Sequence, residues 1–354
     1  MRIARLKQWW NSGVHRVRDE VDEVQDELEH TGLRWRLVWL VIATYLVVVL
    51  VTGFYWSFRP PLVSLPQVQA DVLRQSEIVS PPLDITPLGA ATTASLIYIA
   101  QSLWKKPGGY LYNDLTPPGI WLDDMPNWEY GVVVQVRDTC RVMREHLALR
   151  PSGSEDPDLQ KAESRFQFSH DSWLIPSTES QYREGVGYLR AYLHRLYDAS
   201  ANQVAFKTDA ASLDVWLARL ETRLGRLSQR LSASVAGEGI DEKGMALRTP
   251  WLKIDNVFYE ARGSAWAMVY LLRAIEVDFA AVLTDTKAGS ALDDAIHELE
   301  ASQAPLYSPV VLNGSGFGLV ANHSLVMAAH LSRASNALVT LRRQLEQMQK
   351  AAGE

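Results

Sequence analysis

Hydrophobic residues follow three different patterns along this chain, and each pattern predicts a different kind of helix. From Leu37 to Phe58, twenty-two residues contain no charged side chain. About 20 apolar residues in an α-helix span the roughly 30 Å hydrocarbon core of a bilayer. Before this segment the apolar residues repeat in heptads, and after it they recur at the three- and four-residue spacing of amphipathic helices. The pattern predicts a single transmembrane helix between a short amphipathic segment and a helical body.

Aromatic residues flank the apolar span at both ends. Amphipathic rings are enriched at the depth of the lipid headgroups. No small-residue cleavage site of a signal peptide follows the span, and the charged segment before it is longer than a signal peptide allows. We therefore predict an uncleaved anchor, with four rings at the membrane interfaces: Trp35, Trp39, Tyr55 and Trp56.

The orientation of this anchor follows from the distribution of basic residues. Arg34 and Arg36 lie directly before the span, whereas only Arg59 lies directly after it. Because cytoplasmic flanks carry the excess of Lys and Arg, we expect a cytoplasmic N-terminus and an extracytoplasmic main domain. In a Gram-negative cell, the protein would lie in the inner membrane with that domain in the periplasm.

The first 36 residues contain a short heptad seam flanked by charges. Two heptads are fewer than the three or four that identify a coiled coil. The segment is either a solvated single helix or a seam that pairs two anchors or binds another cytoplasmic helix. The residues of the seam are Val14, Val17, Val21, Val24 and Leu28.

After the anchor, proline-rich residues 59–85 form a connector with one short helix over 67–76. The remaining chain has helical periodicity and no persistent strand-like alternation. We predict an all-α fold: a single N-terminal transmembrane helix followed by a bundle of about seven helices with ordered aromatic and proline-rich loops. The four predicted segments are 1–36, 37–58, 59–85 and 86–350, and the helices of the body are predicted over 86–106, 127–151, 177–200, 208–236, 249–284 with a break near Gly263, 291–301 and 323–349.

Charge and cysteine content exclude some classes of function. The formal net charge is −6, and the residues after the anchor carry 28 Lys and Arg against 34 Asp and Glu. This balance argues against nucleic-acid binding. The single cysteine, Cys140, cannot form a disulfide within the chain, and its apolar surroundings predict a buried thiol.

Three segments of the body, residues 109–138, 154–185 and 208–235, resemble a bacterial inner-membrane family catalogued as domain of unknown function 2333. The first begins GYLYNDLTPPGIWLDD, the second SEDPDLQKAESRF and the third TDAASLDVWLARL. The resemblance covers nearly the whole outer body and includes the anchor. It implies a proteobacterial envelope protein and supplies no activity, cofactor or catalytic residue.

Acidic residues in the first aromatic loop are candidates for catalysis. Asp123, Asp124 and Glu129 lie close together in the sequence, as the paired acids of a glycosidase must in space. Such residues more commonly cap helices or face solvent. We retain an envelope enzyme acting on a glycan or lipid as an alternative, which predicts that Asp123 or Asp124 faces Glu129 across a pocket.

The remaining motifs give weaker evidence for a cofactor, hydrolytic or metal site. The glycine-rich run Gly314–Gly318 has the spacing G-x-G-x-G, which differs from the dinucleotide-binding pattern, so a turn is the better interpretation. A hydrolytic site could combine His170 and Asp171 with Asn322–Ser324, with Ser315 or Ser324 as the nucleophile, yet no nucleophile elbow is present. No histidine pair has the spacing of a metal site. We therefore predict neither a metal nor a cofactor.

Aromatic residues concentrate in the first half of the body, and most of them are expected in its core. Some could form a patch that binds a partner, because Trp and Tyr dominate interface hot spots. The leading hypothesis is a membrane-anchored scaffold or adaptor that contacts the lipid bilayer and a protein partner or a second copy of itself. A regulatory subunit of a membrane complex is a further alternative. The aromatic residues concerned are Trp104, Tyr110, Tyr112, Trp121, Trp128, Tyr130 and Trp173.

Overall fold

A computed structural model of the chain describes residues 35–78, 86–150, 153–198, 205–233, 253–286, 288–305, 311 and 322–353. The heptad seam and the glycine-rich run lie outside the described residues. The chain divides into two compact units, Met1–Phe54 and Tyr55–Glu354.

The first helix, α1, spans Trp35–Trp56 and is the one described helix that is long and apolar enough to cross a membrane. Only 11% of its most apolar stretch is buried within the protein. A core helix of a soluble protein would bury most of such a stretch. The side chains of Trp35, Trp39 and Tyr55 are exposed, as expected of rings that meet a membrane interface.

The described residues form eleven helices and no strands, so the all-α prediction is confirmed. The spacing of leucines explains why, since those between Leu213 and Leu231 recur every three or four residues and are buried. The helices after α1 are α2 (Leu65–Gln75), α3 (Ala90–Lys105), α4 (Asp124–Val142), α5 (Pro157–Phe166), α6 (Thr178–Tyr197), α7 (Ala210–Ser232), α8 (Ile254–Asp278), α9 (Ala280–Thr286), α10 (Gly289–Ala301) and α11 (His323–Gly353).

Helix α4 begins earlier than predicted. Asn127, where the helix was predicted to begin, lies in its first turn and donates its side-chain N–H to the backbone oxygen of Asp123 at 2.8 Å. Pro126 is tolerated there because the first N–H groups of a helix need no intrahelical acceptor. A single π-helical turn, Met143–Leu147, follows α4, so the helix predicted to residue 151 ends sooner.

The predicted break near Gly263 is wrong, because α8 runs through this residue to Asp278. A Cβ atom at Gly263 would lie 2.0 Å from the backbone oxygen of Trp128, and one at Gly131 would lie 2.1 Å from that of Glu260. The two glycines therefore let the backbones of α4 and α8 approach closely. The helix instead ends at Asp278, and α9 begins at Ala280.

The beginning of the connector packs against the body. The backbone N–H of Val63 donates to the hydroxyl oxygen of Tyr270 at 2.9 Å, and Arg273 donates to the backbone oxygen of Val63 at 3.2 Å. Val68 and Val72 of α2 are fully buried. Residues 59–75 are thus fixed to α3 and α8.

The last residue of α1 also contacts the body. A Cβ atom at Gly108 would lie 2.7 Å from Cγ of Trp56, so the indole lies directly against this glycine. Gly108 has a φ of +81°, a conformation that side chains rarely permit. The turn after α3 is therefore built to receive the ring of Trp56.

Candidate functional site

The first aromatic loop, residues 107–123, is organised by an ion pair between Lys106 and Glu129. Nζ of Lys106 lies 2.6 Å from Oε1 of Glu129, and neither side chain has any exposed surface. The carboxylate also accepts the backbone N–H groups of Leu111 and Tyr112 at 2.9 and 2.8 Å. Lys106 further donates to the backbone oxygen of Gly109. One buried pair thus holds both the start and the middle of the loop.

Burial raises the pKa of Glu129 to about 7, although Lys106 and the two backbone N–H groups favour its ionised form. A carboxylate without exposed surface cannot contact a glycan unless the loop opens. The arrangement is typical of a structural ion pair, in which the hydrogen bonds compensate for the loss of hydration.

The two aspartates predicted as partners of Glu129 have surroundings of their own. Asp124 is half-buried and hydrogen-bonded to Tyr259, with Arg59 nearby. Burial, followed by the charge of Asp123, raises the pKa of Asp124 to about 6. Asp123 is exposed at the N-terminus of α4. The three acids therefore contact different partners.

A second loop, residues 169–177, is bound to the first. The side-chain N–H of Asn113 donates to the backbone oxygen of Ser172 at 2.8 Å and to Glu179 at 3.0 Å. The hydroxyl of Tyr110 donates to the backbone oxygen of His170 at 2.7 Å. These bonds connect residues about 60 positions apart and fix the two loops to each other.

Aromatic contacts strengthen this junction. The ring of His170 lies edge-on to Tyr112, with 4.6 Å between ring centroids, and 5.2 Å from the ring of Tyr130. Burial and the charge of Arg137 lower the pKa of His170. The histidine predicted as half of a hydrolytic site thus fills an aromatic cluster.

The tips of both loops expose large apolar side chains. In the first loop, Gly119 lies against the side chain of Asp114. The preceding residue, Asn113, is hydrogen-bonded to Ser172 of the second loop, so the tips of the two loops lie near each other. Ile175 is fully exposed, and Trp121 and Trp173 are each 59% exposed. We call these residues the two-loop apolar surface: Leu115, Ile120, Trp121, Trp173, Leu174 and Ile175.

Charged residues within the two loops are acidic. Asp123 and Asp171 are exposed and Asp114 is half-buried, whereas residues 109–123 and 169–177 contain no Lys or Arg. A hydrogen bond from Ser169 lowers the pKa of Asp171, which therefore stays ionised near neutral pH. The apolar surface has an acidic rim.

Other residues singled out in the sequence have structural surroundings. The hydroxyl of Ser324 is buried and donates to the backbone oxygen of Leu231 at 3.1 Å. Cys140 is buried as predicted, and burial raises the pKa of its thiol. Within the described ranges, no group of three His, Cys, Asp or Glu side chains could hold a metal ion. Ser315 lies outside those ranges.

Sequence reasoning missed Lys106 and Asn113, the residues that hold the loops together. Lys106 and Glu129 are 23 positions apart and come together only when the first loop closes. The one available signal is the turn Pro107–Gly109 directly after Lys106, which shows that the chain reverses there.

Comparison with known proteins yields one match. The model of a family described as uncharacterized protein conserved in bacteria, DUF2333, matches residues 28–348, which is most of the chain. No curated protein and no solved structure matches.

Proposed function

Since this chain belongs to the bacterial family DUF2333, for which no activity is described, we propose a function from its own surfaces. The protein is a single-pass envelope protein that binds another protein through the two-loop apolar surface. This proposal makes it an adaptor or a subunit of a membrane complex. Its N-terminus would be cytoplasmic and its body periplasmic, as the flanking arginines indicate.

The observation that carries the proposal is the exposure of six large apolar side chains on loops that are otherwise tightly bonded. Exposed apolar patches on soluble domains mark interaction sites. Tryptophan is enriched among the residues that contribute most binding energy. Because Asn113 and Tyr110 already fix the loops, binding would cost little loop-ordering entropy.

The acidic rim favours a protein over a bilayer as the occupant of this surface. Anionic lipids would repel Asp123 and Asp171, whereas a protein surface with apolar side chains flanked by Lys or Arg would be complementary. The proposed partner therefore has a basic and apolar face.

Photo-crosslinking in living cells tests this proposal. A photoreactive residue replaces Ile120 or Leu174 in the full-length protein, and the exposed apolar residues Val277 and Val326 are the control positions. We expect one discrete protein adduct of the same mass from both loops and none from the controls. Trp121→Ser with Trp173→Ser should abolish the adduct, and Asp171→Lys should weaken it.

Two outcomes would contradict the proposal. Adducts with lipid alone would identify the surface as a membrane-contacting one, and adducts with the mass of a homodimer would identify a second copy as the occupant. Unfolding midpoints of the variants, measured by circular dichroism, show whether a lost adduct results from lost folding.

A further inference from the structure

A cavity of about 360 Å³ lies where the chain leaves α1. One wall is Arg59–Pro61, directly after the anchor. Gln75 from α2 and Gln101, Ser102 and Lys105 from α3 form much of the remainder. The cavity is outside the two-loop apolar surface and was not anticipated from the sequence.

The position of this cavity along the chain places it close to the end of the predicted span. Arg59 follows Trp56 by three residues, and an extended chain covers at most about 3.6 Å per residue, or roughly 10 Å in all. The polar headgroup regions add about 10–15 Å to the hydrocarbon thickness, counting both sides. Trp56 lies against Gly108, the neighbour of Pro107, which also lines the cavity. The cavity is thus fixed near the end of the span.

Lys105 is exposed and contributes a positive charge that forms no salt bridge with any described carboxylate. Its ammonium donates to the side-chain oxygens of Gln75, at 2.6 Å, and Gln101, both neutral amides. An ammonium has three N–H donors, so one remains for a ligand. Burial and the charges of Arg190 and Arg183 lower the pKa of Lys105, and the carboxylate of Asp71 opposes this shift. Two further cations and one carboxylate therefore lie near Lys105.

Arg59 is the second cation of the cavity. Its guanidinium lies over the ring of Tyr259, 5.7 Å from the ring centroid. Its Nη1 atom is buried and has no hydrogen-bond partner among the described residues. Asp124 acts on Arg59 electrostatically, although its own hydrogen bond goes to Tyr259.

The other charged residues that line the cavity are paired. Asp71 binds Arg74 at 2.6 Å, and Lys106 binds Glu129 at 2.6 Å. Arg59 and Lys105 are therefore the lining charges that form no salt bridge with a described residue. The guanidinium of Arg59 and the ammonium of Lys105 are donors suited to a phosphate.

We propose that this cavity binds the phosphate of an anionic phospholipid headgroup in the leaflet where the anchor ends. This inference rests on the membrane anchoring in the proposed function and is independent of the protein partner. Such a lipid would be held between the connector and α3, beside the bilayer that supplies it.

Native mass spectrometry of the full-length protein in detergent, titrated with phosphatidylglycerol, tests the proposal. We expect Lys105→Gln and Arg59→Gln each to weaken lipid binding by about tenfold or more, the effect of losing one charge-assisted hydrogen bond. Lys105→Arg should retain binding. The matched controls are Lys161→Gln and Arg165→Gln, which remove the same charges outside the cavity and should not change binding.

Equal lipid affinity in the wild type and both cavity variants would overturn the proposal. Displacement of the lipid by inorganic phosphate or glycerol phosphate would also overturn it, because the ligand would then be a soluble phosphate. Phosphatidylcholine should bind more weakly than phosphatidylglycerol, and the reverse order would contradict the role of the two cations. Folding of each variant is checked by its unfolding midpoint.

Failure of this proposal can be distinguished from failure of the proposed function. The lipid titration takes place in detergent and measures only occupancy of the cavity. Membrane fractionation measures anchoring, and photo-crosslinking measures the two-loop apolar surface. A negative lipid titration, fractionation or crosslinking result therefore contradicts only the cavity, the anchor or the two-loop apolar surface, respectively.

Discussion

At the scale of single residues, Lys106 and Glu129 show how a buried charge pair can shape a loop. Taking two charges out of water costs several kcal/mol, which a short contact and additional hydrogen bonds offset. Here the additional bonds come from the backbone of Leu111 and Tyr112. The pair therefore specifies the course of the chain as well as contributing to stability.

Lys106→Met should destabilise the protein by about 3–5 kcal/mol, because it leaves the carboxylate of Glu129 buried without its cation. Urea unfolding of the full-length protein in detergent, followed by tryptophan fluorescence, measures this loss. The double variant Lys106→Met with Glu129→Gln should recover part of it. A loss below about 1 kcal/mol in the single variant, the range of exposed ion pairs, would contradict the structural role of the pair.

Asp124 should make stability depend on pH. Its pKa of about 6 in the folded protein exceeds the ordinary value of 3.8, so the folded state binds this proton more tightly than the unfolded chain does. The resulting stabilisation is present below about pH 4 and is lost as the pH rises through about 6. Across this window the free energy of unfolding should change by on the order of 1 kcal/mol, allowing for solvent screening, and Asp124→Asn should remove this change.

Urea midpoints of the wild type and Asp124→Asn on both sides of this window measure the effect of Asp124. The matched exposed control is Asp123→Asn. If the difference between wild type and Asp124→Asn is the same at both pH values, Asp124 does not titrate as described.

At the scale of helices, the sequence predicts the elements well where apolar spacing alone determines them. Helix α7 is an example, since its leucines are buried at the positions that the periodicity indicates. The prediction fails at Gly263, because a glycine within a helix looks like a break in the sequence although it permits a close crossing in the fold. Distinguishing these two roles requires knowing that Trp128 lies opposite.

Gly263→Ala should destabilise the protein by about 1–3 kcal/mol, because its Cβ atom would overlap the backbone oxygen of Trp128 and push α4 from α8. Gly187→Ala is the matched control, since no atom lies within 4 Å of a Cβ there. That variant should gain about 0.5–1 kcal/mol from the lower entropy of its unfolded chain. Equal effects of the two variants on the urea midpoint would contradict the close crossing.

The contact between the two loops could not be predicted from the sequence either. Their density of proline and aromatic residues correctly indicates ordered segments. Their mutual attachment depends on Asn113 and Ser172, which are 59 positions apart, and on the buried pair beneath them. No local pattern encodes such a contact, so the apolar surface that it creates was predicted only as a general patch of aromatic residues.

At the scale of the whole molecule, α1 should determine where the protein is found. Leu46→Arg with Val47→Arg places two charges at the centre of the span, at a cost of about 2.5–3.5 kcal/mol each. We expect the variant to be lost from the carbonate-resistant membrane fraction. Leu88→Arg with Val326→Arg, at exposed apolar positions elsewhere, is the matched control and should remain there. Unchanged fractionation of the α1 variant would contradict the anchor.

Because Trp56 packs against Gly108, and Val63 is bonded to Tyr270 and Arg273, the body cannot move far from the end of α1. A long flexible tether would let a domain search a large volume for its partner, at a low effective concentration. Here residues 59–75 are packed against the body, so with α1 anchored as proposed the search would be confined to a thin layer along the membrane. A partner that resides in the same layer meets the body at high local concentration, whereas one that diffuses through the compartment gains no such advantage.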